Sequence, residues 1–165
     1  EEEARNDQLT GLPNRRALDT MLDDASRKAH QNGEPLTVVM LDIDHFKRCN
    51  DNYGHRGGDA VLTEVAARLR AEMRGSDFAA RYGGEEFILV LPGCSLILGQ
   101  RVAERVRQAI ARRPIVFEGK TISVTTSLGL AELQPKETPG AAIERADQAL
   151  YSAKKTGRNR WVAAC

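Results

Sequence analysis

PLTVVMLDID, residues 35–44, decides the fold. After the proline, Leu36 to Leu41 are long or β-branched residues with no polar alternation, the pattern of a strand covered on both faces. The run is short and sharply bounded, and it ends in Asp42-Ile43-Asp44. It belongs at the centre of a sheet, with carboxylates where apolar burial gives way to solvent.

Working outward, the segment from Arg15 to His30 repeats Leu18, Met21, Leu22, Ala25 and Ala29 at helical spacing and stops at Asn32-Gly33. From Gly58 to Met73, Val61, Leu62, Val65 and Leu69 mark a second amphipathic helix. FAARY and EEFILVL are strand-like, and Gly83-Gly84 between them is expected to supply the positive φ angles of a type I′ hairpin turn. Leu96 to Ala111 is helical through Val102, Val106 and Ile110, and TISVTTSLGLAEL is a further strand. Ala141 to Lys155 places Ile143, Ala146, Ala149, Leu150 and Ala153 on one side of a last helix, ended by Gly157. This order predicts an α+β fold, an α/β sandwich whose helices cover a mostly antiparallel central sheet.

At 165 residues the chain suits one domain. The 24 Lys and Arg nearly cancel the 23 Asp and Glu, so no global field draws it to nucleic acid or to an anionic membrane, and any phosphate site must be local. Cys49, Cys94 and Cys165 are odd in number and form no CxxC pair, which points to a reducing cytoplasm. No apolar run is long enough to span a bilayer. The acidic opening, residues 1–9, is expected to be the end of a linker helix from an upstream regulatory domain, with the globular domain over 10–165.

The polar residues concentrate in a few places. Asp42 and Asp44 are expected to point to opposite sides and not to share a metal, Asp44 capping the next helix. Glu85 and Glu86 follow the Gly-Gly pair. If the hairpin lies beside the strand ending at Asp42, Asp42 and Glu85 or Glu86 meet at one sheet edge as a hard oxygen site suited to Mg²⁺, although adjacent acids also serve as a solvated edge. Gly83 and Gly84 would then let a nucleotide approach the backbone. Asn50, Asp51, Asn52, Gly54, His55, Gly57, Gly58 and Asp59 crowd a connection between strand and helix. They have the donors and acceptors to read a guanine edge, and they are equally common in loops. Lys154 and Arg158 lie near the end of the last helix, where cations also answer the helix dipole.

Together, DQLTGLPNRR at 7–16, LDIDHFKRCNDNYGHRGGDAVL at 41–62, RYGGEEF at 81–87 and ADQALYSAKKTGRNR at 146–160 resemble the GGDEF family of diguanylate cyclases, in family order and over nearly the whole chain. The resemblance implies a fold like the polymerase palm and the class III nucleotidyl cyclases. It implies a reaction in which two GTP yield cyclic di-GMP and two pyrophosphates, with two Mg²⁺ or Mn²⁺ ions per site. Asp42, Glu85 and the Ile43 carbonyl would hold metal, with Glu86 sharing. Phe46 and Lys47 would border the triphosphate, Asn50 and Asp59 would recognise guanine, and His55 would sit near the nucleoside. Lys154 and Arg158 would hold the β and γ phosphates. Glu85 is also the general-base candidate, and Arg81 would neutralise charge on the transferred phosphoryl. Because one site takes one GTP, the resemblance implies a homodimer, commonly paired by an upstream sensory or receiver domain. Arg74-Gly75-Ser76-Asp77 resembles the family's RxxD product-inhibition site. Arg74 and Asp77 would bind cyclic di-GMP, and Arg105 would add a secondary contact. Glu85 in place of the family's Asp is an accepted variant. The alternatives are a silent domain that binds cyclic di-GMP or GTP as a receptor, a cyclase acting on ATP, and a purely structural interaction domain.

Overall fold

The computed structural model describes residues 4–165. Strand β1 (Leu36–Ile43) is buried along its whole length and runs through the middle of a five-stranded sheet, as its unbroken apolar run dictates. Antiparallel to it lie β3 (Glu86–Pro92) on one side and β6 (Thr126–Glu132) on the other. Strand β2 (Phe78–Arg81) pairs with β3 at one edge, and β7 (Arg160–Ala163) runs parallel to β6 at the other.

Period-two alternation in β1 divides the core in two. Val39, Leu41 and Ile43 face α2 (Phe46–Glu72) and α3 (Leu96–Ala111), packing with Val61, Val65, Leu69, Val106 and Ile110. Leu36, Val38 and Met40 face α1 (Arg15–Asn32) and α4 (Pro139–Lys155), packing with Leu18, Leu22, Ala142, Ala146 and Leu150. The fold is thus the expected mostly antiparallel α/β sandwich. Helix α4 comes so close to β6 that a Cβ on Gly129 would stand 2.1 Å from Ala146 O, which is why glycine is needed there.

Four expectations change. Residues 50–57 are not a connecting loop: α2 begins at Phe46 and runs through them, interrupted by a kink at Gly54 (φ 74°, ψ 176°). TISVTTSLGLAEL is two strands, because Lys120–Ile122 forms β5, paired with β4 (Ile115–Phe117) in a separate ribbon. Residues 4–9 are not helical; Asn6 bridges to Pro13, and positions 1–3 of the expected linker helix lie outside the described residues. The hairpin turn holds three residues, since Tyr82 N–H and Gly83 N–H both donate to Glu86 O. Neither Gly83 nor Gly84 has a left-handed backbone, so no type I′ turn forms.

Trp161 on β7 donates its indole N–H to Glu104 on α3, at 3.2 Å. The Arg107 guanidinium, donating twice to the same carboxylate, outweighs the effect of burial. With Gln108 and Trp161 it lowers the Glu104 pKa from 4.5 to about 2. A depressed folded pKa contributes stability that is present above the unfolded pKa and lost as pH falls through the folded one. Glu104→Gln should therefore melt below the parent at neutral pH, and the gap should close as the pH is taken from 4.5 towards 2. Thermal melts followed by the fluorescence of Trp161, the single tryptophan, check this; a gap constant with pH contradicts it.

Candidate active site

The β1–β3 register places Asp42 opposite Glu86, and Ile43 N–H donates to Glu85 O at 3.3 Å. Both glutamates therefore come to the sheet edge where Asp42 lies, whereas the sequence suggested one or the other. Asp42 is buried, at 6% exposure. Lys154 reaches it from the last turn of α4 and donates to Oδ2, while Oδ1 is buried with no protein partner among the described residues. Burial raises the Asp42 pKa against the pull of Lys154. Burial likewise raises Glu85 and Glu86, and the Asp42 charge adds to both. Such a cluster favours any added positive charge. Among the described residues no three or more His, Cys, Asp or Glu cage a metal alone. That suits Mg²⁺, which takes one or two carboxylates and completes its shell with water and substrate phosphates. The orphaned Asp42 Oδ1 and the mutually repelling glutamates fit such an ion.

Beside the acids opens a cavity of about 430 Å³ lined by Phe46, Lys47, Asn50, His55, Asp59, Leu62, Arg81, Gly84 and Glu85. The N-terminal half of α2 supplies most of these, on both sides of its kink at Gly54. Among the described residues, the side chains of Lys47, Asn50, His55 and Asp59 have no protein hydrogen-bond partner, which leaves donors and acceptors of both kinds facing one space. A Cβ on Gly58 would fall 1.9 Å from Asn50 Oδ1, so the glycine leaves room for that amide. A Cβ on Gly83 would meet Glu86 Oε1 at 2.5 Å, the far end of a side chain that can move aside. At Gly84 a Cβ would meet nothing within 4 Å. With no left-handed φ and no protein neighbour to spare, what a bare backbone provides there is close approach from the cavity.

The Arg81 guanidinium is engaged within the protein. Its Nε–H and Nη2–H donate to Gly83 O (3.2 Å) and Gly84 O (2.7 Å), and Nη1 donates to both oxygens of Asp7 (3.1 and 3.0 Å). The guanidinium holds the Gly-Gly loop against the N-terminal segment. Burial alone would raise Asp7, but hydrogen bonds from Thr10 and Arg81 outweigh it and lower its pKa. Asp7 and Thr10 were visible only inside a quoted motif. Their role depends on a partner 74 residues away.

Asp44 also departs from expectation. Residues two apart in a strand share a face, and Asp44 stands close enough to Asp42 for its charge to raise the Asp42 pKa. Nor does it cap α2: the N-cap position is His45, with no side-chain cap bond. The two aspartates differ in their partners instead, Asp42 taking Lys154 and Asp44 taking Thr125, Ser127 and Asn159. The Arg158 guanidinium has no protein partner among the described residues. Away from this site, Arg74 N–H donates to Asp77 Oδ2 at 3.2 Å. Burial raises the Asp77 pKa while the Arg105 charge acts against it, so the structure brings Arg74, Asp77 and Arg105 together. Arg105 itself is paired with Glu72. Arg15, not anticipated, stacks on Tyr82 with its guanidinium 3.7 Å from the ring centroid, and its charge acts on Glu86.

The family described as diguanylate cyclase, GGDEF domain, matches residues 4–160. The diguanylate cyclase DgcP of Pseudomonas aeruginosa is 48% identical over 159 residues, which cover 96% of this chain and 24% of DgcP. The GGDEF domain of DgcB from Caulobacter crescentus, solved with c-di-GMP, superposes with a TM-score of 0.94 at 38% identity, covering 99% of this chain and 94% of that one. The active GGEEF domain of a diguanylate cyclase from Vibrio cholerae has a TM-score of 0.87 at 34% identity, covering 93% and 98%. The Glu85 variant thus has a counterpart in a domain described as active.

Proposed function

Since the chain belongs to the GGDEF-domain family of diguanylate cyclases, we propose that it condenses two GTP into cyclic di-GMP and two pyrophosphates. One observation carries this: four polar side chains without protein partners face a single cavity whose wall continues into three clustered acids.

Asn50 and Asp59 read the guanine, Asp59 accepting from its ring N–H and exocyclic amine, and His55 lies against the nucleoside. Phe46 and Lys47 border the triphosphate. Lys154, shared with Asp42, and Arg158 bind the β and γ phosphates. Asp42, Glu85 and the Ile43 carbonyl hold divalent metal, with Glu86 contributing. Two Mg²⁺ or Mn²⁺ ions there would lower the pKa of the attacking 3′-hydroxyl and offset charge on the pyrophosphate. Glu85 accepts the proton. The site takes one nucleotide, so the second GTP comes on a second copy, and a face-to-face homodimer is part of the reaction. An upstream sensory or receiver domain would control that pairing; this chain spans only 24% of DgcP. Arg74, Asp77 and Arg105 bind the product as inhibitor. Among the described residues no helix is long and apolar enough to cross a membrane.

The test is incubation with GTP and Mg²⁺, with cyclic di-GMP identified by chromatography and mass. The expected outcome is product from GTP and not from ATP, at a rate that rises faster than linearly with protein and a progress curve that flattens as product accumulates. No product even with two copies joined through a coiled coil would favour a receptor instead.

A further inference from the structure

Three donors converge on Asp44. The Thr125 and Ser127 hydroxyls each donate to one carboxylate oxygen at 2.7 Å, and Asn159 N–H donates at 3.0 Å. The carboxylate is buried, at 6% exposure. Its third donor belongs to a turn in which Gly157, Arg158 and Asn159 all have positive φ, at 131°, 61° and 47°. Two consecutive non-glycine residues in that region need support, because the left-handed backbone crowds Cβ against the carbonyl. Arg160 Nε–H donates to Arg158 O at 3.0 Å within the turn, and two contacts support it from its flanks. Arg158 N–H donates to Ala153 O at 2.9 Å, and Arg107 on α3 donates to Asn159 Oδ1 at 2.9 Å. Among the described residues, only the Asp44 bond ties the turn to the end of β1, two residues from Asp42. The residue so presented is Arg158, whose guanidinium has no protein partner among the described residues.

Resting on the assignment of Lys154 and Arg158 to the phosphates, we infer that Asp44 is a positioning residue for triphosphate recognition. Its buried carboxylate holds Asn159 N–H, fixes the left-handed turn, and so keeps Arg158 beside the end of the site where Lys154 meets Asp42. Asp44 is itself an anion close to Asp42. If it acted through its field alone, removing it would tighten the binding of a triphosphate. Positioning has the opposite sign: its loss releases Arg158 and weakens the triphosphate selectively, because a charge-assisted fork depends on orientation.

The experiment compares affinities for 3′-deoxy-GTP, which lacks the attacking hydroxyl, and for GMP, both with Mg²⁺, by calorimetry. The parent should prefer the triphosphate. Asp44→Ala should lower that preference by about tenfold with GMP affinity retained, Arg158→Ala should do the same, and the double variant should lose no more than either. Asp44→Asn should keep most of the preference, since an amide retains an oxygen for Thr125 and Asn159 and turns its NH₂ to the Ser127 hydroxyl. Amide hydrogen exchange should quicken at Asn159 in Asp44→Ala while β1 and β6 stay protected. A preference that rises, equal losses for both ligands, additive losses with Arg158→Ala, or lost protection across the sheet overturns the inference. A parent without any preference for the triphosphate sinks the assignment of the phosphate cations instead.

Discussion

Glu85→Gln is expected to lower cyclic di-GMP formation by on the order of 10³-fold, the scale for losing a positioned acid–base group, and at the same time to make the metal-free domain more stable. The two effects have one origin. Burial and the Asp42 charge raise the pKa of Glu85, and Glu86 adds to the repulsion. A carboxyl whose folded pKa is raised stabilises the fold while protonated, and that contribution is lost as pH rises through the folded pKa. In a chelator, the parent should therefore lose stability as pH climbs from the ordinary carboxylate range to neutrality, and the variant should lose less. At neutral pH the metal-free melting temperature of the variant should therefore lie above that of the parent. Added Mg²⁺ should then raise the melting temperature of the parent more than that of the variant, because the cation compensates a charge the variant no longer carries. Melts in chelator and in Mg²⁺, set beside product assays, decide the matter. Reduced activity with an unchanged or lower metal-free Tm would mean that Glu85 is not held against its electrostatic preference.

This tension between site and fold was partly legible in the sequence. An unbroken apolar strand ending in acids, and a hairpin carrying two more, sufficed to bring Asp42 and one of Glu85 and Glu86 to one edge, because β1 had to be central and therefore had to be paired on both sides. Helices α1, α3 and α4 followed from their spacing for the same reason: each buries one stripe against a sheet. Legibility failed where a local signal competed with tertiary context. Asn50 to Gly58 is rich in turn formers, yet it folds as helix because Phe46 and Cys49 bury against the sheet and the break is confined to Gly54. Strands β4, β5 and β7 are three or four residues long, too short for alternation to register. The Gly83-Gly84 pair suggests a two-residue turn, but the turn holds three residues and neither glycine has a left-handed backbone. Above all, the partners of Arg81 and Asp44 could not be read from sequence, since they lie far along the chain: Asp7 for the one, Thr125, Ser127 and Asn159 for the other.

For Arg81 the consequence can be measured, because two roles predict opposite results at Asp7. Were the guanidinium to act on the transferred phosphoryl, Asp7 would compete for it, and Asp7→Asn would leave activity unchanged or raise it. The geometry gives the reverse. Arg81 bridges Asp7 and the carbonyls of Gly83 and Gly84, and Asp7 is in turn fixed by Thr10 N–H at 2.9 Å and the Thr10 hydroxyl at 2.7 Å. Glu85 follows Gly84 directly, so slack in this loop displaces the carboxylate proposed to accept the proton, and a displacement of about 1 Å can cost roughly 10²-fold. Asp7→Asn and Arg81→Ala are therefore both expected to lower turnover by about 10- to 100-fold, and the double variant should fall no further than the worse single one. Arg81→Lys should not rescue, since an ammonium cannot span two carbonyls and a carboxylate in one plane. Turnover at saturating GTP, with the dimer enforced so that association is not limiting, is the measurement. Full activity in Asp7→Asn would return Arg81 to the reacting phosphoryl. A shared, non-additive loss would show that the segment leading into α1 sets the position of the Gly-Gly loop, and would give anything that moves that segment a direct hold on Glu85.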